Sequence, residues 1–261
     1  MGCNLWFWSM ALSKSHIIAQ LQKDILPLQG FKKANGTAVN VGWGEIDEAF
    51  PNRSFPSGAI HEFICSGPAY AASTKGFITG IISALMKTGG CCIWISTART
   101  LFPLALTQFG IDPDKIIFID LQKERDVLWA MEESLKCNGL AAVVCEICDI
   151  SFTASRRLQL AVEQSRITGF IIRHNPRNIT TNACLTRWKI ASLPSVVEDN
   201  MPGIGFPRWN VELLKVRNGK PGSWEIEWAA GRFRHYTSPV TSIPEEKTIT
   251  SIPQEQKKIA G

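Results

Sequence analysis

The chain has 261 residues, long enough for one large domain or one domain with an appendage, and its 45% apolar and 20% charged residues are an ordinary globular composition with a sizeable core. The net charge of +5 neither demands nor forbids a nucleic-acid partner, but it is uneven: residues 151–235 hold thirteen Lys or Arg against six acids. Eight cysteines, with Cys91 and Cys92 adjacent in an apolar run, argue for buried thiols in a reducing cytoplasm rather than a disulfide framework. The C-x-x-C of Cys145 to Cys148 has no second pair to complete four zinc ligands, so no metal is expected. Charge-free runs such as 76–86 are too short to span a bilayer, and residues 1–10 lack the basic start of a secretory signal; the expectation is a cytoplasmic protein without a membrane partner.

In chain order, residues 12–26 read as an amphipathic helix, with Ile17, Ile18, Leu21, Ile25 and Leu26 on one side, and Pro27 ends it. Residues 30–58 are loop-rich, with Asn35-Gly36, Pro51-Asn52 and Pro56 as turn signals. Strands at 59–65, 91–96, 115–120, 140–146 and 169–173 then alternate with helices at 74–87, 102–109, 124–137 and 153–166. Continuous apolar strands between amphipathic helices imply a parallel sheet covered on both faces. After Asn175-Pro176 the pattern changes to antiparallel strands at 188–193, 209–216 and 224–228. The expected organisation is therefore a lead-in of residues 1–58, an α/β domain with an antiparallel extension over 59–235, and a disordered tail over 236–261.

The stretch 60–75, IHEFICSGPAYAASTK, has the layout of a phosphate loop: an apolar strand, a turn at Gly67-Pro68, a short loop, and a helix opening near Thr74. Its chemistry is incomplete. The pattern G-x-x-x-x-G-K-[ST] needs a second Gly so that N–H groups wrap the phosphates and a Lys to reach the outer ones, yet Ala72 and Ser73 stand there and only Thr74 remains. Lys75 comes two positions late, an offset that turns it about 200° around a helix. Glu146, at the end of its strand, stands where a carboxylate would hold magnesium, and a solvated strand-end acid is the simpler reading. Weak nucleotide binding through Gly67, Ser73, Thr74 and Glu146 stays open, but no cofactor is expected.

The order of these elements resembles the RecA-like ATPase core. Residues 44–50 (GEIDEAF) and 55–62 (FPSGAIHE) are similar to the lead into the first recombinase strand, and Ile93 to Ala98 sits where that family ends a strand in an Asp and a catalytic Glu. Here Ser96 and Ala98 stand instead, and an ATPase lacking the carboxylate that orients water loses its general base. More particular are FGID at 109–112, WAMEESLKC at 129–137, TASRRLQLA at 153–161, TRW at 186–188, PRWNVELL at 207–214 and GSW at 222–224. Together they resemble the ImuA family, over roughly residues 13–235.

That resemblance implies a RecA-like core with helices on both faces and an antiparallel C-terminal extension. It also implies a non-catalytic accessory role in damage-inducible error-prone translesion synthesis. The implied partners are a Y-family-like polymerase adaptor and an error-prone C-family polymerase, with a RecA-type recombinase and DNA as further candidates. Arg156 and Arg157 are candidate partner or DNA contacts on their helix. For Arg187, Trp188, Arg208 and Trp209, core packing weighs first, protein contact second and DNA third. His174 falls where recombinases sense the nucleotide and reads as structural. Two other functions fit parts of the pattern: a divergent ATPase using Thr74, Lys75 and Glu146, and a cell-division inhibitor of the SulA type.

Overall fold

The structure, a computed structural model, describes Leu21 and residues 39–195 and 205–236. Apart from Leu21, the amphipathic helix expected at 12–26 lies outside the described residues, as does the expected tail beyond Tyr236. Among the described residues the strands are β1 Ile60–Cys65, β2 Cys91–Ser96, β3 Ile116–Asp120, β4 Leu140–Ile147, β5 Thr168–His174, β6 Thr186–Leu193, β7 Arg208–Val216, β8 Gly222–Ala229 and β9 Arg232–His235. These nine form one sheet in the order β3-β2-β4-β5-β1-β6-β7-β8-β9. β3 through β6 pair in parallel and β6 through β9 antiparallel, so this is a RecA-like α/β core with an antiparallel C-terminal extension. The final strand, Arg232–His235, has no counterpart in the sequence pattern.

Helix α1 (Pro68–Met86) lies on one face of the sheet, and α2 (Glu124–Ser134) and α3 (Phe152–Ser165) lie on the other. Ser151 caps α3 by accepting from the Ala154 N–H at 3.1 Å, as its position before the helix predicts. The segment expected as a helix at 102–109 is a tighter 3-10 helix, Pro103–Phe109, closed by left-handed Gly110. Among the described residues no helix is long and apolar enough to cross a membrane.

The core under α1 is aromatic. Trp43 stacks 5.6 Å from Phe77 and meets Trp188 edge-on at 5.5 Å, while Phe63 stacks on Trp188 at 6.1 Å. Val41, Ile46, Phe50 and Phe55 of the lead-in join this same cluster. Each fully buried aromatic contributes about 1.5–3 kcal/mol. Close packing explains Gly80 on α1, where a Cβ would meet the Phe233 ring at 2.5 Å. A buried polar chain threads this core: Trp188 Nε1–H donates to Thr186 Oγ1 (2.7 Å), Thr186 O–H donates to His61 Nδ1 (2.8 Å), and His61 Nε2–H donates to the Pro56 carbonyl (3.0 Å). Burial pushes His61 down to about 3, so it is neutral in the folded protein.

Candidate functional site

The carboxyl ends of β1, β2 and β4 open into a cavity of about 440 Å³, lined among others by Ala72, Lys75, Ala98, Thr100, Glu124, Glu146 and His174. This is the crevice where open α/β sheets place their ligands. The backbone that should cradle phosphate is different from the sequence expectation. Gly67 turns at φ +103°, Pro68 occupies the first helical turn, and α1 runs without interruption from there, so the residues expected as a loop before Thr74 are helical. The physical reason is compositional. Proline is preorganised for a helix start, Ala69, Ala71 and Ala72 are strong helix formers, and the second glycine that would break the turn is absent.

A helix uses its own amides. The Ala71 N–H donates to the Gly67 carbonyl at 3.1 Å, and later N–H groups follow the same ladder instead of converging on an anion. The Gly67 N–H donates to Asn175 Oδ1 at 2.9 Å, Ser73 Oγ donates to the Ala69 carbonyl at 2.8 Å, and Thr74 Oγ1 accepts from the Cys65 thiol at 3.2 Å. Ser73 and Thr74 are buried within the helix packing, and neither lines the cavity. Of the four nucleotide candidates only Glu146 does.

Glu146 is not the solvated acid that its strand-end position suggested. It is 6% exposed and accepts from three elements: Lys75 Nζ of α1 at 2.9 Å, His174 Nε2 at the end of β5 at 2.7 Å, and Trp94 Nε1 of β2 at 2.7 Å. Burial pushes its carboxyl up, but the bonds from His174, Lys75 and Trp94 outweigh burial and hold it below the ordinary carboxylate value. Lys75 also donates to Thr100 Oγ1. The two-residue offset that removes Lys75 from the phosphate-lysine position is what aims it across the crevice at Glu146. Glu124 is a second cavity acid that the sequence did not single out, and its Oε1 accepts from the Cys148 N–H at 2.8 Å.

No family model matches the chain. Protein ImuA of Caulobacter vibrioides, in strains NA1000 / CB15N and ATCC 19089 / CIP 103742 / CB 15, is 32% identical over 201 residues, which cover 72% of this chain and 82% of that protein. The chain belongs to the ImuA family. The crystal structure of the RadB recombinase matches with a TM-score of 0.53 at 14% identity, covering 76% of this chain and all of that one, and it shows the RecA-like fold.

In this ImuA-family chain the other candidate residues divide sharply. Arg156 and Arg157 are exposed on α3, and Arg157 pairs with Glu132 of α2 at 2.5 Å. Trp188 and Trp209 are 0% and 4% exposed inside the aromatic core, so neither is available as a contact surface. Arg208 is 9% exposed: it donates to the Pro194 carbonyl at 3.0 Å, pairs with Glu225 at 3.2 Å and stacks 3.4 Å over the Tyr236 ring. Arg187 donates to Glu62 Oε2 at 2.5 Å and to the Thr180 carbonyl at 2.7 Å. Glu62 is fully buried and also holds Arg173 at 2.8 Å, a network that sequence reasoning missed. Its signal was a single acid inside the apolar run of β1, since such an acid stays buried only with a partner.

Proposed function

We propose that this chain is a non-catalytic accessory protein of damage-inducible mutagenesis, a RecA-like body whose ATP chemistry has been replaced by internal contacts. Membership of the ImuA family supports the damage-inducible mutagenesis role, and the Lys75–Glu146 pair carries the non-catalytic part of the reading. The carboxylate that would serve magnesium is neutralised from inside the protein. The amides that would serve phosphate are in a helix. Ala98 offers no base. The partners proposed with this reading are a Y-family-like polymerase adaptor and an error-prone C-family polymerase, with a RecA-type recombinase and DNA as further candidates. Pairwise binding of the purified chain to each protein tests this, with micromolar or tighter binding to the adaptor expected. Failure of every pair at micromolar concentration removes the accessory reading.

One observation favours a divergent ATPase instead. The cavity keeps Lys75, Glu146 and a further carboxylate, Glu124, at a place where ligands bind in this fold class. Magnesium-ATP turnover that disappears in Glu146→Gln would establish that alternative.

A further inference from the structure

An apolar groove of about 340 Å³ runs beside the crevice on the α1 side of the sheet. Phe102, Leu106 and Phe109 line it from the 3-10 segment, and Pro207 and Trp209 line it from the start of β7. Gly76 of α1 lines it too. A Cβ there would stand 3.3 Å from the Trp209 ring and 3.4 Å from the Phe109 ring, so the absence of a side chain keeps the groove open. The apolar surface continues outside the groove, because Phe102 is 64% exposed and Leu104, on the same 3-10 helix, is 63% exposed. Solvent-facing apolar clusters of this kind mark contact surfaces.

We propose that this groove docks the chain's own C-terminal tail, residues 237–261, through an isoleucine-proline pair. The first reason is where the described chain ends. The Phe109 ring lies 5.2 Å from Trp228, and Trp228 lies 4.9 Å from Phe233 of β9, three residues before Tyr236. Arg208, next to Pro207 in the chain, stacks on the Tyr236 ring at 3.4 Å. The tail therefore starts close to the groove, and Ile243, seven residues past Tyr236, has an extended reach of up to about 24 Å. The second reason is the tail's sequence. Thr241-Ser242-Ile243-Pro244-Glu245-Glu246 recurs, with one change, as Thr250-Ser251-Ile252-Pro253-Gln254-Glu255. Each copy sets one large apolar residue and a proline in a polar stretch. Proline holds the residue before it extended and lowers the entropy lost on ordering, which is how proline-containing segments seat in aromatic-lined grooves. Two copies on one tether raise the occupancy of a single groove without adding a contact. Ala72, Lys75 and Thr100 border both the groove and the crevice, so the docked tail lies alongside the crevice.

The test keeps the full chain and needs neither DNA nor a partner protein, so it stands apart from the mutagenesis reading. Ile243→Glu/Ile252→Glu charges both anchors and leaves the folded body unaltered. Amide hydrogen exchange in residues 101–109 is expected to be about tenfold faster in this double variant than in the wild type. That factor corresponds to a fluorescent peptide of residues 237–256 binding the double variant with a Kd of about 0.1 mM, against an effective concentration of about 1 mM for the tethered tail. The same peptide is expected to bind the wild type about tenfold more weakly, because the tail fills the groove. Adding Phe102→Asp, at an exposed position, to the double variant is expected to abolish peptide binding. Equal exchange in the wild type and the double variant overturns the proposal, as does equal peptide binding by the two or unchanged binding after Phe102→Asp. Protection that rises with protein concentration, with a dimer mass in sedimentation, gives the groove to a second copy and overturns it too. So does tighter binding of a peptide of residues 12–26 than of the tail peptide.

Discussion

Two buried carboxylates stand on neighbouring parts of one sheet and do different work. Glu62, on β1, is fully buried between the guanidinium groups of Arg173 and Arg187 and faces no opening. Glu146, on β4, is similarly buried and similarly held, but it borders the crevice at the strand ends. The first fastens β1, β5 and β6 to the loop that joins the last two. The second stands at the strand end where the sequence pattern would put a metal-binding acid, and it is answered by a lysine from the chain itself. Burial and an ion pair alone do not mark an active site; the space in front of the carboxylate and the backbone around it do.

If the comparison is right, removing Glu62 has the larger effect on stability. Glu62→Ala leaves two buried guanidinium groups without their carboxylate, and urea denaturation is expected to show a loss of about 3–5 kcal/mol or failure to fold. Glu146→Ala leaves Lys75, His174 and the Trp94 N–H without their acceptor, but Lys75 and His174 border the cavity where water can reach them, so a smaller loss, about 2–3 kcal/mol, is expected. A Glu146→Ala loss exceeding that of Glu62→Ala would reverse the ranking.

Acid should separate the groups further. His61 titrates near 3 when folded against 6.5 when free, so the unfolded chain takes up its proton first and stability is lost as pH falls from 6.5 towards 3. Glu146 is held below its ordinary 4.5, so its contribution is present above 4.5 and fades as pH falls through its lower folded value. The urea midpoint of the wild type is expected to begin falling below pH 6.5, and His61→Gln is expected to remove that upper part of the slope. Thr74→Ala is the smallest change, with a cost of about 1 kcal/mol or less, because its hydroxyl only accepts from the Cys65 thiol.

The sheet was readable because its strands are unbroken apolar runs and its helices carry clear stripes, and the antiparallel extension because Trp and turn residues mark it. The helix from Pro68 was not. The phosphate-loop spacing argued for a loop, whereas local propensity from Pro68 through Ala72 favoured a helix once the second glycine was gone. The partners of Glu146 were hidden for a different reason. Lys75, Trp94 and His174 come from three separate elements, and only the strand order β2-β4-β5-β1 brings them to one carboxylate. Leu193 and Arg208 face each other across β6 and β7, and the Arg208 cage of Pro194, Glu225 and Tyr236 is equally non-local.

The most direct test of the central claim is magnesium-ATP binding and turnover by the purified chain, alone and with single-stranded DNA, beside Glu146→Gln. An internally occupied site predicts no turnover above background and no difference between the two proteins. Turnover by the wild type that Glu146→Gln abolishes would contradict the account, because it would mean that Lys75 yields the carboxylate to a nucleotide-bound metal.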